Sequence, residues 1–242
     1  MACKTTSRRP WRLALLLPAI ALIAALWFTF VPQAHAQEGP PAGQSKRGLT
    51  PERVGANLPP ASCQSKWCQR VRLTHRIAHR LLAGLQRWER AGGNVSPLSD
   101  LDVLLDIVRA TRAENRSPFL LVAISGKESS FGTAYPCRSP NGDGAGRYNL
   151  TGLASCWAPD NWKTITLCGK TINGAAYVTS YARGMRLTAR LIRCLLPSAR
   201  TVYELNGYAA SSTWKPAVHS IMVDVFRVPD HVMWQDAVRA TR

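Results

Sequence analysis

The spacing of apolar residues along the chain predicts a mainly helical domain. Apolar positions recur at intervals of three and four residues from about Trp67 to Arg90, from Leu101 to Arg112 and from about Thr179 to Leu196. Two shorter helices are expected near 202–210 and 215–226, with a last turn in the tail. Strict alternation of apolar and polar residues, which is typical of strands, is scarce.

The stretch from Ser117 to Gly132 predicts a helix that is buried on most sides. Ser117 suits the N-cap, Pro118 suits the first helical position, and Gly132 suits the C-terminal cap. Six apolar residues follow Pro118, from Phe119 to Ile124. One carboxylate, Glu128, shares a face with Leu120, Leu121 and Ile124 by helical spacing.

A glutamate on such a face has two interpretations. It can point to solvent from the last turn, or it can be partly desolvated. Desolvation would raise the pKa of Glu128, as a general acid near neutral pH requires.

The helix before this stretch is expected to begin at Ser96 or Ser99, with Asp100 and Asp102 near its positive N-terminus.

The first helix, from about Trp67, is expected to end at Gly92-Gly93. Five arginines lie among the apolar residues of its buried face. These arginines are Arg70, Arg72, Arg76, Arg80 and Arg87. A basic amphipathic helix can lie on a membrane surface; packing on the domain core is the favoured alternative.

Residues 132–177 are predicted to form a long irregular loop, which in a compact domain is usually functional or disordered. Asn141-Gly142 and Asp143-Gly144 are tight-turn pairs. The loop contains aromatic residues of the kind that stack on sugar rings: Tyr135, Tyr148, Trp157 and Trp162. The alternative is that these side chains cover the hydrophobic core.

The N-terminus predicts export. A basic segment is followed by the apolar run Leu13–Val31 and by Ala34-His35-Ala36, an A-x-A cleavage site. We expect a signal peptide over 1–36, with an uncleaved inner-membrane anchor as the alternative, and a flexible spacer over 37–60. One domain, 61–242, remains, placed in the periplasm or cell wall.

Six cysteines remain after the leader is removed, and an even number in an exported chain indicates disulfides. Spacing leaves the pairing open; a local Cys63–Cys68 bond is expected, with the loop cysteines joining the loop to itself and to the Cys194 helix. No paired C-x-x-C motif is present, so no zinc site and no cofactor are expected.

The charge favours an anionic partner. The formal net charge is +17, and removing residues 1–36, which hold four basic residues and no acids, leaves +13. Cell-wall polymer, lipid head groups and nucleic acid all fit. No nucleic-acid-binding motif appears, and export argues against nucleic acid.

Three blocks in order resemble the lysozyme-like superfamily of peptidoglycan-cleaving enzymes, above all its glucosaminidase branch and the lysozyme-like domains of phage tails. They are E-S-S-F-G at 128–132, N-L-T-G-L at 149–153, and Tyr177 followed by a helix from Ser180 to Leu191. The resemblance covers roughly Ser117 to Leu196. It implies a lysozyme-like helical domain in which the disulfide-stapled loop forms the cleft.

The resemblance also implies roles for individual residues. Glu128 would protonate the glycosidic oxygen, and Tyr177, with Tyr181 as the fallback, would steady developing positive charge. The implied substrate-binding residues are Ser129, Tyr148, Asn149, Gly152, Leu153, Trp157 and Tyr181. Gly152 would let the backbone approach the sugar.

Two departures from the family pattern bear on the chemistry. The glutamine that usually follows G-L-[MF] in the lytic transglycosylase branch is absent, because Gly152-Leu153 is followed by Ala154-Ser155. A second carboxylate is not evident: Asp143 and Asp160 are weak candidates, and many members of the superfamily work with one glutamate.

The sequence thus predicts an exported enzyme that cleaves β-1,4 bonds of peptidoglycan glycan strands. The alternative is a non-catalytic peptidoglycan-binding scaffold in an envelope complex. Membrane contact is expected only through an uncleaved N-terminal segment.

Overall fold

The computed structural model describes residues 58–134, 148–153, 164–174 and 178–242. Contacts group the chain into two units, Met1–Pro51 and Glu52–Arg242, and all described residues belong to the second unit. No helix among them is long and apolar enough to cross a membrane. The expected leader and most of the expected spacer lie outside the described residues.

Six α-helices and a two-stranded sheet make up the described part, which confirms the mainly helical prediction. The helices are α1 (Lys66–Arg90), α2 (Leu101–Ala113), α3 (Pro118–Ser129), α4 (Tyr181–Leu195), α5 (Trp214–Ser220) and α6 (Trp234–Ala240). The strands are β1 (Thr164–Leu167) and β2 (Lys170–Asn173). Short 3-10 turns span Ser130–Gly132 and Val202–Glu204, and a π-helical turn at Ile221–Val225 continues α5.

Helix α3 lies at the centre of the core, as its apolar run predicts. Its residues 118–125 are all buried. The helix packs against α2, α4, α5 and α6, so apolar neighbours surround it. A helix without a solvent-facing stripe is stabilised by burial on every side.

The ends of α3 agree only in part with the prediction. Ser117 occupies the N-cap position, but its hydroxyl makes no capping hydrogen bond. At the other end the α-helix stops at Ser129, where Ser130 adopts a left-handed φ of 47°. The prediction of Gly132 as the cap is therefore wrong by two residues. The chain turns early because Phe131 is buried against Trp88 and Phe226.

The cap of α2 is Asp100, not Ser96 or Ser99. The Asp100 carboxylate accepts hydrogen bonds from the backbone N–H groups of Asp102 and Val103 at 2.8 and 3.3 Å. Ser96 instead donates to the Phe131 carbonyl at 2.6 Å, and Ser99 donates to Glu89 Oε1 at 2.5 Å. Both serines are engaged in tertiary contacts that local sequence does not reveal.

Three arginines of α1, Arg76, Arg80 and Arg87, donate to carbonyl groups of the C-terminal region, which agrees with a helix packed on the core. Arg87 donates to the Val225 carbonyl from Nε at 3.1 Å and from Nη2 at 2.5 Å. Arg80 donates to the carbonyls of Arg227 and Ala240. These guanidinium groups satisfy carbonyls that helix ends leave unpaired.

The expected helix over 202–210 is wrong beyond its first turn. Only Val202–Glu204 is helical, and Gly207 has a left-handed φ of 78°. The N–H of Val202 bonds to the Asp230 carbonyl at 3.0 Å, while the N–H groups of Ser117 and Val232 bond to the carbonyls of Val232 and Arg200 at 2.8 Å each. The segment around Val232 therefore ties the start of α3 to the 200–202 stretch.

A β-hairpin lies in the stretch predicted to be irregular. Strands β1 and β2 pair antiparallel, and along β1 the exposed threonines alternate with buried Ile165 and Leu167. Cys168 and Gly169 form the turn with φ values of 50° and 79°. Positive φ at both central residues is typical of a two-residue hairpin turn.

Two disulfides lie within the described residues. Cys63 is bonded to Cys68, which confirms the local pair. Cys168 at the hairpin turn is bonded to Cys194 near the end of α4, which confirms that the central segment is stapled to that helix. Cys137 and Cys156 lie outside the described residues. Disulfides are consistent with an exported protein.

We expect Gly184→Ala to lower the free energy of unfolding by about 1–3 kcal/mol. A Cβ at this position in α4 would lie 2.4 Å from the Tyr148 carbonyl oxygen, a backbone atom that cannot rotate away. Urea unfolding measures the change. Arg190→Ala on the same helix is the control, expected to change stability by less than about 0.5 kcal/mol. Equal effects would show that α4 and residue 148 are not closely packed.

Candidate functional site

Glu128 lies in the last turn of α3 and is half-buried, so it is neither a fully exposed surface charge nor an isolated core charge. The residues that share its face, Leu120, Leu121 and Ile124, are fully buried. The apolar face of α3 therefore carries the carboxylate to the edge of the core. This placement agrees with the sequence interpretation of a partly desolvated glutamate.

Trp214 holds one oxygen of this carboxylate. The indole Nε1–H, at the start of α5, donates to Glu128 Oε1 at 2.6 Å, and the Trp214 side chain is almost fully buried. An indole N–H is a donor only, so Oε1 acts as the acceptor. Glu128 Oε2 has no hydrogen-bond donor within the described residues.

Glu128 Oε2 lies against the backbone of Gly152. A Cβ at Gly152 would be 3.1 Å from Oε2, and the residue has a left-handed φ of 63°. Both facts favour glycine, because any side chain would crowd the carboxylate and strain the backbone. The sequence predicted a close backbone approach at this glycine, and here it is the carboxylate that the backbone approaches.

The 149–153 turn is closed by the side chain of Asn149. Its Oδ1 accepts from the Leu153 N–H at 3.0 Å and its Nδ2 donates to the Leu153 carbonyl at 3.0 Å. Asn149 and Leu153 are both buried. These two hydrogen bonds of the Asn149 amide fix the turn conformation that places Gly152 beside Glu128.

Helix α4 anchors the same turn from the other side. Thr151 Oγ1 lies 2.5 Å from Thr188 Oγ1, and both hydroxyls are buried. The rings of Tyr148 and Tyr181 meet edge to face with centroids 4.9 Å apart. Tyr148 and Tyr181, both predicted as substrate-binding, are thus partners of one another at the base of the turn.

Tyr208 is a second aromatic neighbour of the site. Its ring centroid lies 5.0 Å from that of Trp214. Burial, and then the negative charge of Glu128, raise the pKa of the Tyr208 phenol. The hydroxyl therefore stays protonated at neutral pH beside the carboxylate.

The structure brings together Glu128 and the turn that carries Asn149, Gly152 and Leu153. It does not place Ser129 in this group: Ser129 is buried, and its hydroxyl donates to the Ser125 carbonyl and accepts from the Gly132 N–H. Substrate binding by Ser129 stays a prediction. Four other candidates lie outside the described residues: Asp143, Trp157, Asp160 and Tyr177.

Trp214 and Tyr208 were missed by sequence reasoning. Trp214 is 86 residues from Glu128 along the chain. The surrounding sequence, Y-A-A-S-S-T-W-K-P, carries no spacing that relates it to α3. Only the packing of α5 on the end of α3 brings the indole to the carboxylate.

The described residues contain no group of three or more histidine, cysteine, aspartate or glutamate side chains that could hold a metal ion.

Comparisons with protein-family models, curated proteins and solved structures found no match to this chain.

We expect Trp214→Phe to lower the free energy of unfolding by about 1–3 kcal/mol, because it keeps a ring but leaves a half-buried carboxylate oxygen without its donor. Trp234→Phe is the control, since the Trp234 N–H makes no hydrogen bond within the described residues while its ring still packs under Arg112. Urea unfolding of both variants measures the difference. Equal losses would show that the indole N–H does not stabilise Glu128.

Proposed function

We propose that the chain is an exported enzyme that cleaves β-1,4 glycosidic bonds in the glycan strands of peptidoglycan, with Glu128 as the general acid. The observation that carries the proposal is the asymmetric environment of the carboxylate. Trp214 holds Oε1 at 2.6 Å, while Oε2 faces the backbone of Gly152 in a tightly anchored turn. The resemblance of 128–132 and 149–153 to the lysozyme-like superfamily supports the same assignment.

In this mechanism the proton on Oε2 is transferred to the glycosidic oxygen as the bond from the anomeric carbon to that oxygen breaks. Glu128 gains a full negative charge in the same step. A hydrogen bond to a charged acceptor is about twice as strong as one to a neutral acceptor. The Trp214 N–H is already aimed at Oε1, so it stabilises the charge without reorganisation.

The ionised Glu128 then serves as the base for the second half of the reaction. If it removes a proton from water, the product is a new reducing end. If it removes a proton from a hydroxyl of the sugar itself, the product is an anhydro sugar. The N-acetyl group of the substrate can supply the nucleophile that a second carboxylate supplies in other glycosidases.

Tyr208 and Gly152 complete the proposed reaction site. The Tyr208 phenol stays neutral, because burial and the charge of Glu128 raise its pKa, and its ring packs against the Trp214 donor with centroids 5.0 Å apart. Gly152 keeps the space beside Oε2 free of side-chain atoms. Tyr177, to which the family pattern assigns the tyrosine role, lies outside the described residues, and its role remains a prediction.

The setting of the enzyme is proposed on the same basis. The disulfides are consistent with an extracellular or periplasmic protein. A charge of +13 beyond residue 36 would draw the domain to anionic wall polymer. We propose an envelope complex as a partner, and membrane attachment only through the N-terminal segment.

We expect residues 37–242 to release soluble fragments from purified peptidoglycan, and Glu128→Gln to lower that rate by at least about 10²-fold, because glutamine cannot donate an acidic proton. Mass spectrometry of the released fragments identifies the type of reaction. New reducing ends indicate hydrolysis, and anhydro-muropeptides indicate a lytic transglycosylase.

Glu204→Gln is the matched control, because Glu204 is an exposed glutamate in the 3-10 turn at 202–204. It should leave the rate unchanged. A folded wild-type protein that sediments with peptidoglycan but releases nothing would contradict catalysis. That result would favour the binding-scaffold alternative.

We expect Gly152→Ala to lower the rate of fragment release by more than Gly207→Ala does. Both glycines have a left-handed φ, 63° and 78°, so both alanines carry similar backbone strain of about 1–2 kcal/mol. A methyl group at Gly152 would also meet Glu128 Oε2, whereas nothing lies within 4 Å of the corresponding position at Gly207. Rates are compared at equal folded fractions, and equal rates would count against a role for Gly152.

A further inference from the structure

A row of arginines lies along the outward side of α4. It holds every charged residue of this helix: Arg183, Arg186, Arg190 and Arg193. Their spacing of three or four residues places them on one face, over about 15 Å of the helix. Arg190 is half-buried and the other three are exposed. Thr188, which holds the turn beside Glu128, is buried on the opposite side, so this arginine row is separate from the candidate active site.

The arginine row is only partly neutralised. Glu114 pairs with Arg186 at 2.9 Å and with Arg193 at 3.0 Å. These ion pairs use one carboxylate and restrict both side chains. Arg183 and Arg190 form no ion pair with any described residue and are about 10 Å apart along the helix. Two guanidinium groups of one face are therefore left without a counter-ion in the described part of the chain.

The arrangement is unfavourable for the helix itself. Like charges three or four positions apart repel one another across helical turns. Arg183 also lies in the first turn of α4, where the positive end of the helix dipole disfavours a cation and no acidic residue is present. Its hydrogen bond to Thr179 Oγ1, at 2.9 Å, is to a neutral acceptor. A local rule broken without compensation in the fold indicates a functional surface, here one for an anionic partner.

The positive charge continues beyond the end of α4 and beneath it. Arg200 is exposed. Arg116 is almost fully buried, and its guanidinium has no carboxylate partner among the described residues. Burial, and then the charges of Arg193 and Arg200, lower the pKa of Arg116. The repulsion therefore reaches into the core, and an anion bound outside would relieve it.

The surroundings of the arginine row favour a soluble polymer over a lipid surface or a nucleic acid. The apolar side of α4 is buried in the core and cannot enter a membrane. Leu195, the exposed large apolar residue of α4, is two positions from Arg193 and so lies on another side. Tyr181, the aromatic residue of α4, is half-buried and packs against Tyr148. The helix thus carries no exposed ring on which a base would stack.

The spacing of the arginine row suits charges carried on a polymer backbone. Successive arginines rise by about 4.5–6 Å along α4. In an extended acidic polypeptide the side chains alternate, so carboxylates on one side are about 7 Å apart and the others face away. In a polyol phosphate each negative charge is part of the backbone. Every phosphodiester group can therefore turn towards a guanidinium fork.

We propose that the arginine row of α4 binds a linear polyol phosphate polymer of the cell envelope. Phosphodiester oxygens accept hydrogen bonds from Arg183 and Arg190, and the charges of Arg186 and Arg193, held in place by Glu114, add to the attraction. The proposal uses the exported setting but does not depend on catalysis by Glu128. Binding would retain the protein at the polymer, and its strength falls as salt rises because counter-ions are released.

Calorimetry on the full chain in an uncharged detergent tests the proposal with lipid-free poly(glycerol phosphate) as the probe. We expect binding to wild type at low salt, and a dissociation constant raised about tenfold or more in the double variant Arg183→Gln/Arg190→Gln. The slope of log affinity against log salt should fall in size by about 1.4 in that variant, because two phosphate contacts are lost.

Arg90→Gln/Arg242→Gln is the matched control, because it removes two charges from exposed positions outside α4. It should bind nearly as tightly as wild type. No binding by wild type, or equal losses in the two double variants, would overturn the site. Glu128→Gln should bind as tightly as wild type, whether or not the chain cleaves glycan. Weaker binding by that variant would place the polymer at the candidate active site and overturn the proposal.

Three comparison probes define the partner. Polyglutamate of equal charge should bind more weakly than poly(glycerol phosphate), and equal affinity would overturn the phosphodiester assignment. Oligothymidylate and vesicles of phosphatidylglycerol should bind no more tightly than the polymer. Tighter binding of oligothymidylate would favour nucleic acid, tighter binding of the vesicles would favour a lipid surface, and either result would overturn the proposal.

Protection from an arginine-directed reagent tests the site in wild-type protein, so the result does not depend on a variant that folds. Poly(glycerol phosphate) should slow the modification of Arg183 and Arg190 by phenylglyoxal and leave that of Arg90 unchanged. Mass spectrometry of peptides measures each position. Equal modification of Arg183 with and without saturating polymer would overturn the proposal.

Discussion

Helix α3 has no solvent-facing side over residues 118–125, and this burial constrains the polar groups at both of its ends. A buried carboxylate is tolerated only when other elements supply its partners. Glu114, just before the helix, is almost fully buried and pairs with Arg186 at 2.9 Å and Arg193 at 3.0 Å on α4. Glu128, at the other end, takes its donor from Trp214 on α5. Glu114 is neutralised by cations and fixes the fold. Within the described residues Glu128 accepts a hydrogen bond from a neutral donor alone, and its Oε2 lies beside the Gly152 backbone.

The environment of Glu128 Oε2 depends on the turn at 149–153, which is held by two sets of contacts. Asn149 closes the turn from within, and Thr151 joins it to α4 through Thr188. The disulfide from Cys168 to Cys194 ties the following hairpin to the same helix. Helix α4 therefore supports both the turn beside the carboxylate and the hairpin that comes after it. The general-acid role proposed for Glu128 requires such rigid support, because small displacements of the reacting groups cost large factors in rate.

The arginines of this strongly basic chain have different structural environments. Arg80 and Arg87 bind carbonyl groups at the C-terminal side of the domain and are structural. Arg70 and Arg112, by contrast, have no carboxylate partner within the described residues, and their side chains line a small space between α1 and α2. Net charge alone cannot separate these two groups. Their different neighbours show that the first group stabilises the fold by satisfying backbone carbonyls, while Arg112 packs over the Trp234 ring.

Four features could be predicted from the amino-acid sequence: the helical class, the burial of α3, the position of Glu128 on its apolar face and the local Cys63–Cys68 bond. These features follow from periodicity and short-range spacing, which act within a few residues. Four others could not: the Asp100 cap, the early end of α3, the hairpin at 164–173 and the pairing of Trp214 with Glu128. Each of these depends on contacts between residues far apart in the chain. Phe131 is buried in the core, and its burial energy outweighs the local helical preference. Ser96 and Ser99 make hydrogen bonds to Phe131 and Glu89 instead of capping α2. The indole of Trp214, 86 residues from Glu128 along the chain, donates a hydrogen bond to its carboxylate.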